Sequence, residues 1–281
     1  IAMQWIYTKL PNKLLLDVTY QMSHAKSLEE FKQGAANVHA PGLNIMYGDA
    51  KDNIAWFASG KLYKYRDSLN TKVILDGASG KDEITEFLNF EENPQAINPD
   101  WNFVYSANQQ IDTVRGELYP GYYQPQDRSK RIVDLLEAKN DFTKEDVANM
   151  IYDVTSSKVP EIANNLLKHV NEKDLNVSQK KAILILKKWN GTYSKSAIGP
   201  TVYNRFLYEF LRNTYGDELG ESFGLFINSQ LQDQVLPNQI NRKNSVWWDN
   251  INTKDKVETK EEIITNSITE HNDRIRINNY Y

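Results

Sequence analysis

The sequence LNIMYGDAKDNIAWFASG, residues 43–60, indicates how the first part of the chain folds. Its first and last eight residues are rich in strand-forming side chains, and the dipeptide KD lies between them. Two such runs joined by a short polar turn are typical of a β-hairpin. Asp49, Asp52 and Asn53 also resemble a cation-binding loop, but the spacing of a 12-residue calcium loop is absent, so a hairpin turn is the favoured interpretation.

A second strand is predicted in NFVYSANQQID, residues 102–112. Its alternation would place one set of side chains on a common face: Trp101, Phe103, Tyr105 and Ala107. The run ends at Asn108. A strand-end turn residue is one interpretation of this asparagine. The other is a carboxamide donor held on a rigid element, which is what an oxyanion hole requires.

The sequence as a whole predicts an α+β fold. Residues 1–126 would form a β-containing part, and residues 127–281 would form a mainly helical part. Helix starts are indicated by capping-box spacings, Ser27 with Glu30 and Thr259 with Glu262. Between about Lys61 and Pro125 the chain is rich in Gly, Pro and Asn and is expected to form long loops. From Asp127 onward apolar residues recur with helical spacing, as in the sets Ile132, Leu135, Leu136 and Val147, Met150, Ile151, Val154.

Composition excludes several classes of function. The 281 residues carry a net charge of −4, with 40% hydrophobic and 25% charged residues, so a nucleic-acid partner is not expected. No apolar run reaches the roughly 20 residues that span a bilayer. There is no cysteine, which excludes disulfides, thiolate nucleophiles and cysteine metal sites.

The four histidines do not predict a metal or catalytic site. His24, His39, His169 and His271 lack both helix-borne metal spacing and a recognisable nucleophile setting. Structural or surface roles are expected for them, and no metal ligand is assigned.

Arg128 opens the helix DRSKRIVDLL and shares a face with Ile132 and Leu135, so it is expected to be buried. A cation in the first helical turn also opposes the helix dipole by about 0.3–1 kcal/mol. Asp127 could cap the helix and offset part of that cost. A buried arginine needs a partner, and the partner could belong to a structural salt bridge or to a functional site.

Six segments, taken in chain order, carry a resemblance to a known family: IAMQWIYTKL, AKSLEEFKQGA, APGLNIMYGDAKDNIAWFASGKL, FLNFEENPQAINPDWNFVYSANQQ, GYYQPQDRSKRIVDLLEA and WWDNINTKDKVET. Together they resemble the penicillin acylase (penicillin amidase) family of N-terminal-nucleophile hydrolases. The resemblance covers nearly the whole chain, and it identifies the hairpin as part of the sheet region of such an enzyme.

The resemblance implies an enzyme that hydrolyses acyl amide bonds. The family's nucleophile is an N-terminal serine, exposed by self-cleavage of a precursor, whose own α-amino group is the base. The resemblance assigns Asn108 to the oxyanion hole and Arg128 to the support of Asn108 and the nucleophile. Arg131, the second arginine of the motif, and Gln109, where the family has a second asparagine, are placed beside them.

Departures from the family pattern limit what this chain does alone. Residue 1 is Ile1, so the nucleophile is absent, and the chain is expected to be an inactive interior piece of the large chain. Its expected partners are the rest of the same precursor, namely the small chain and the N-terminal part of the large chain, together with a small acyl-amide substrate. No cofactor is expected. The family's calcium site draws mostly on other segments, and its expected aspartate falls here on GYY, residues 121–123.

Two further expectations accompany this interpretation. The family implies a periplasmic or secreted enzyme. The β-containing part should also leave sheet edges and apolar surface for absent segments to cover, so the isolated chain should associate or be disordered near its ends.

The alternative is a non-catalytic binding module for sugars or peptides. It is suggested by 16 Tyr and 6 Trp, including WW at 247–248 and GYY at 121–123. Packing of these aromatic residues in a core is the competing interpretation.

Overall fold

The computed structural model describes residues 1–8, 15–66, 69–71, 73–110, 113–114, 117–173 and 175–270. The fold is α+β. The chain forms two compact units, Ile1–Gln124 and Pro125–Tyr281. The sheet belongs to the first unit, and the second unit is built from helices.

A three-stranded antiparallel sheet organises the first unit. Its strands are β1 (Leu43–Gly48), β2 (Ile54–Ser59) and β3 (Gln95–Ile97), in the order β1-β2-β3. Leu43 lies opposite Ser59 and Gly48 opposite Ile54, so the predicted hairpin is confirmed. Within the described residues β1 pairs on one side only and is therefore an edge strand.

The turn between β1 and β2 is organised by the carboxylate of Asp49. Its Oδ1 accepts the backbone N–H groups of Lys51 at 2.8 Å and Asn53 at 3.0 Å. Its Oδ2 accepts the Asn53 side-chain amide and the Tyr47 hydroxyl, both at 2.9 Å. These bonds, that from the Asn53 amide first, lower the pKa of Asp49 to about 2. The carboxylate is fully used by the turn, which supports the turn interpretation over a cation loop.

Two helices precede the sheet, α1 (Leu15–His24) and α2 (Leu28–Ala36). Ser27 caps α2 by accepting the N–H of Glu30, as predicted. The ring of Phe31 on α2 lies 4.8 Å from that of Tyr47 on β1. Gly34 is needed for close packing, since a Cβ there would lie 2.8 Å from Met22 Cγ and 3.2 Å from its backbone nitrogen.

The strand predicted from residue 102 to Asn108 is wrong. Residues 102–108 belong to neither described sheet. Trp101 is 59% exposed while Ala107 is fully buried, so the expected common face does not form. β propensity depends on a neighbouring strand, and none pairs with this segment in the described part of the chain. A short pair, β4 (Thr113–Val114) and β5 (Glu117–Leu118), follows it.

The second unit contains the helices α3 (Asp127–Leu136), α4 (Lys144–Ile151), α5 (Val159–Leu167), α6 (Val177–Lys188), α7 (Gly199–Leu219), α8 (Phe223–Ile227), α9 (Leu231–Asn241) and α10 (Lys260–Glu270). Short 3-10 turns lie at Ile6–Thr8, Phe90–Glu92, Gly220–Ser222 and Val246–Trp248. The core surrounds α7, whose Phe206 and Phe210 are fully buried together with Ile264 and Ile268 of α10. Among the described helices, none is both long and apolar enough to cross a membrane.

Helix starts in the second unit follow local capping chemistry. Thr259 and Glu262 form the predicted capping box, with each backbone N–H bonded to the other residue's side chain. Two boxes that the sequence analysis missed begin α4 at Thr143 and α6 at Asn176. The α4 helix is present, but much of its apolar face is exposed, and Ile151 has 77% of its surface open.

Candidate functional site

Asn108 occupies a backbone position that favours asparagine. Its φ is +61°, in the left-handed region that Asn and Gly tolerate best. Its N–H donates to Ser106 Oγ at 3.3 Å, and its carbonyl accepts the N–H of Gln124 at 2.8 Å. The main chain is therefore held on both sides of the residue, and the turn interpretation of Asn108 agrees with this geometry.

The side chain of Asn108 is exposed, and its carboxamide has no hydrogen-bond partner within the described residues. The neighbouring amides are used differently. Gln109 Oε1 accepts the N–H of Ala107 at 2.8 Å, and Gln110 Nε2 donates to the Tyr119 carbonyl at 3.3 Å. Gln109 thus braces the loop, whereas the Asn108 NH2 group remains available as a donor.

Tyr119, whose carbonyl accepts the hydrogen bond from Gln110, contacts other tyrosines. The Tyr119 hydroxyl donates to the Tyr63 carbonyl at 3.2 Å, and the rings of Tyr65 and Tyr119 lie 5.6 Å apart. Burial raises the pKa values of Tyr65, Tyr119 and Tyr123. These phenols are neutral at physiological pH and serve as packing and hydrogen-bonding groups.

Arg128 is exposed, which corrects the expectation that it is buried. It lies in the first turn of α3, and no ion pair to it is formed by the part of the chain that the structure describes. Ile132 and Leu135 on the same side of the helix are only half-buried. The spacing of four and seven residues placed Arg128 in line with them, but this side of the helix is not covered at Arg128, whereas its neighbour Ser129 is buried.

Asp127 does not cap its own helix, contrary to the sequence-based suggestion. Gln126 is the N-cap residue and makes no side-chain capping bond. The Asp127 Oδ1 atom instead accepts Ser156 Oγ at 2.7 Å and the N–H of Lys158 at 3.3 Å. The carboxylate links the start of α3 to the start of α5.

Arg131 forms a bidentate ion pair with Asp153, which follows α4. Its Nε donates to Oδ1 at 2.9 Å and its Nη2 to Oδ2 at 2.7 Å. This pairing raises the pKa of Arg131 and lowers that of Asp153. Arg128 and Arg131 thus lie on adjacent turns of one helix, with the first guanidinium unpaired and the second committed to Asp153.

The described histidines have structural or surface settings. His24 stacks on Tyr20 with ring centroids 3.9 Å apart, and His169 Nδ1 lies 3.2 Å from Glu261 Oε1. His39 is half-buried, and His271 lies outside the described residues.

The residues here do not fit the calcium site that the family resemblance implies. Residues 121–123, where its aspartate is expected, are Gly, Tyr and Tyr and offer no carboxylate. In the described ranges, His, Asp and Glu side chains form no group of three that could hold a metal ion. Calcium binding by a longer protein stays a prediction.

The aromatic residues behind the binding-module alternative have mixed settings, and the WW pair packs against the core. Trp248 is 3% exposed and lies 6.2 Å from the ring of Phe210, and Trp247 lies 5.1 Å from Tyr215. Tyr122 is exposed while Tyr123 is half-buried. The WW pair therefore belongs to the core of the second unit and does not form a flat binding platform.

Comparison with known proteins shows the relationship. The sequence model of the family described as penicillin amidase matches residues 1–279. This chain belongs to the penicillin amidase family. The family assignment made from sequence motifs is confirmed.

Relatives of this penicillin amidase family member include acyl-homoserine lactone acylases named QuiP. The protein from Pseudomonas syringae pv. tomato is 24% identical over 272 residues, covering 90% of this chain and 32% of the relative. The Pseudomonas aeruginosa protein is 24% identical over 274 residues, with the same two shares. The chain therefore spans about a third of the length of these relatives.

A solved structure shares the fold. The thermostable penicillin G acylase from Alcaligenes faecalis matches with a TM-score of 0.60 at 15% identity, covering 92% of this chain and 51% of that one. At this identity the likeness shows the fold, and it confirms the α+β class.

Sequence reasoning missed the residues that hold α3 in place, namely Asp153 and Ser156. One indication was available: DVTSSKVP, residues 153–160, concentrates turn and capping residues directly before the proline at position 160. Such a segment predicts a side-chain-bonded connection before a helix, but it does not identify which distant residue completes the bonds.

Proposed function

We propose that this chain is part of an acyl-amide hydrolase whose nucleophile, an N-terminal serine, is supplied by polypeptide outside the 281 residues. Family membership and relatives named as acylases support this class of reaction. The observation that carries the proposal for this chain is the Asn108 carboxamide. It is exposed, lacks a partner in the described residues and projects from a backbone that is bonded on both sides.

The proposed chemistry is acyl transfer to serine. The serine oxygen attacks the amide carbonyl carbon, and its proton passes to the α-amino group of the same residue. The carbonyl electron pair moves onto oxygen, and the Asn108 NH2 group donates a hydrogen bond to that oxyanion. Collapse of the intermediate breaks the C–N bond, and the amine leaves with the proton. Water then releases the acid from the acyl-enzyme ester.

Asn108 suits this role because its backbone is held in place, and we propose that its donor is preorganised in the complete enzyme. A donor fixed before reaction stabilises the developing charge without reorganisation, and removal of one such donor costs about 10²–10³ in rate. The left-handed backbone, bonded through both its N–H and its carbonyl, restrains the turn from which the side chain projects.

We further propose that Arg128 supports Asn108 and the nucleophile through its charge. Its guanidinium is exposed and forms no ion pair in the described residues, so its five N–H donors are available. Its position in the first turn of α3 opposes the helix dipole, and such an unfavourable placement is typical of functional residues.

For substrates we propose N-acyl amides such as acyl-homoserine lactones or penicillin-type side chains. The names of the relatives favour the lactones as the first class to assay. We place the enzyme in the periplasm or outside the cell, which fractionation of the native host by osmotic shock would test.

We propose the remaining segments of the same precursor as partners, and we expect the isolated chain to be inactive. The edge strand β1 supports this proposal because its outer side is unpaired in the described residues, and Leu43 and Met46 are exposed on it. Such an edge is a template for another strand.

The test is amide hydrolysis by the full precursor, after self-cleavage has been checked by gel and mass spectrometry. Asn108→Gly keeps the left-handed backbone and removes the donor, while Asn108→Asp keeps the shape and replaces the NH2 group. Both should lower kcat by about 10²–10³. Gln110→Ala is the control, because Gln110 bonds only a loop carbonyl in the described structure and should leave kcat within a few-fold. Wild-type turnover in Asn108→Gly would remove the assignment.

A further inference from the structure

Two side-chain contacts hold the first turns of α3, one on each side of Arg128. Before it, Asp127 accepts Ser156 Oγ at 2.7 Å. After it, Arg131 makes its bidentate pair with Asp153 at 2.9 and 2.7 Å. Both contacts come from one short connection, residues 153–158, which joins α4 to α5.

This connection is itself fixed. Ser156 is 6% exposed, and its Oγ accepts the N–H of Val159, the first residue of α5, at 2.9 Å. Its own N–H donates to the Gly191 carbonyl at 2.9 Å. The Oγ atom of Ser156 therefore bridges the starts of two helices while its backbone is bonded to a third segment.

Two side-chain contacts restrain the orientation of α3 more completely than one contact could. A helix held at one residue can still turn about that contact, whereas contacts four residues apart, roughly 6 Å along the axis, fix its direction and its rotation. Arg128 lies between the two. The two contacts therefore fix the point of the α3 backbone from which the Arg128 side chain projects.

We infer that Ser156 and Asp153 are positioning residues for Arg128. They act through α3 and do not touch the substrate. The inference rests on the proposed role of Arg128 and extends it, since it assigns function to a connection that the sequence motifs did not include. A displacement of about 1 Å in a group that acts on the reacting centre can cost about 10²-fold in rate.

The experiment uses the complete, self-processed enzyme and measures kcat and KM for an N-acyl amide together with thermal unfolding. Ser156→Ala and Asp153→Asn should each lower kcat by about 10- to 100-fold, with KM changed much less. Ser156→Thr keeps the hydroxyl and should restore kcat to within a few-fold of wild type. Assays are made well below the melting temperature of every variant, so that all are folded.

Ser267→Ala is the matched control. Ser267 is a fully buried serine of α10 whose Oγ donates to the Ile263 carbonyl at 2.7 Å, so it loses a comparable bond far along the chain from α3. It should lower the melting temperature and leave kcat unchanged. Equal effects of Ser156→Ala and Ser267→Ala on kcat would overturn the inference.

A double-mutant cycle separates positioning from general destabilisation. In an Arg128→Ala background, Ser156→Ala should cost no further activity, because the residue that it positions is gone. The same loss in both backgrounds would show that Ser156 acts independently of Arg128. If Arg128→Ala itself retains wild-type activity, it is the proposed role of Arg128 that fails, and the two failures are thereby distinguished.

Discussion

Gly191 shows how a single residue can determine the fit between two segments. Its φ is +89°, and a Cβ added there would lie 2.1 Å from the Ser156 carbonyl oxygen. Glycine is required both for the backbone conformation and for the close approach. This carbonyl belongs to the connection that contacts α3.

Gly191→Ala should therefore lower the free energy of unfolding by about 2 kcal/mol or more, since left-handed strain alone costs about 1–3 kcal/mol. Urea unfolding followed by circular dichroism measures it. Gly224→Ala is the control, because that glycine lies in α8 with no atom within 4 Å of the added Cβ. Alanine there should be neutral or stabilising by up to about 1 kcal/mol. Equal stabilities of the two variants would contradict the steric argument.

For single residues, the sequence predicted helix-capping roles better than it predicted which side chains are buried. Local spacing identified Ser27 and Thr259 as helix starts, whereas the roles that the family resemblance assigns to Asn108 and Arg128 stay predictions. The prediction that Arg128 is buried was wrong because helical spacing says which residues share a face, whereas only tertiary packing says whether that face is covered.

Helix α7 carries a buried charge at its centre. Glu209 is fully buried and is paired with Arg205 one turn before it and with Arg212 one turn after it. Arg212 Nη2 also contacts Glu270 Oε2 at 2.7 Å, which ties α7 to the end of α10. A buried carboxylate between two arginines is costly to disrupt, because removal of one partner leaves charges desolvated.

Glu209→Ala should lower the free energy of unfolding by about 3 kcal/mol, the lower end of the range for broken buried pairs, since both arginines are partly exposed and can be rehydrated. The control is Glu172→Ala, which breaks the surface pair with Lys187 and should cost less than about 1 kcal/mol. Chemical unfolding of both variants gives the comparison. A Glu209→Ala protein as stable as the control would show that the pair contributes no net stability.

Elements could be predicted from sequence where their determinants are local. The hairpin at residues 43–60 is specified by its two runs and by the Asp49 turn, and it is confirmed. The run at residues 102–108 has equal strand propensity and forms no strand, because no neighbour pairs with it in the described structure. The exposed apolar face of α4 illustrates the same point, since periodicity predicted the helix and left its environment open.

At the scale of the whole molecule, two carboxyl groups should make the stability of the fold depend on pH in opposite directions. Burial, followed by a hydrogen bond with Asp217, raises the pKa of Glu218 to about 7 from its ordinary 4.5, and the charge of Asp249 acts in the same direction. The folded state therefore keeps this proton to a higher pH than the unfolded chain. The stabilisation that the protonated Glu218 carboxyl gives to the folded state is present at low pH and is lost as pH rises from about 4.5 through about 7. Asp49 has the opposite sign, because its pKa is lowered to about 2 and its contribution disappears only in strong acid.

Glu218→Gln, which imitates the protonated acid, should flatten the dependence of melting temperature on pH between 5 and 8 and raise the melting temperature most at pH 8. Glu221→Gln, an exposed position in the following turn, is the matched control and should leave the slope as in wild type. Scanning calorimetry at several pH values measures both. An unchanged slope in Glu218→Gln would rule out the assignment.

The isolated chain is expected to associate through β1, whose outer side is unpaired in the described residues. A lysine on an edge strand discourages strand pairing, so Met46→Lys should shift the chain toward monomer in light scattering. Leu184→Lys changes an exposed apolar residue of α6 and should not have this effect. A monomeric wild-type chain would contradict the expectation. The sequence also predicted disorder near the chain ends. At the C-terminus this prediction falls on residues 271–281, which lie outside the described residues.

The burial of Trp248 gives the second unit an optical reporter of its own. Its indole is 3% exposed beside Phe210, whereas Trp5 and Trp101 in the first unit are 55% and 59% exposed. Aqueous iodide will quench the fluorescence of the two open indoles before it reaches the enclosed one. Once Trp56, the half-buried indole of the first unit, is replaced by phenylalanine, loosening of the helical unit would appear as a red shift in the unquenched emission, so the two halves of the polypeptide can be followed separately without any attached dye.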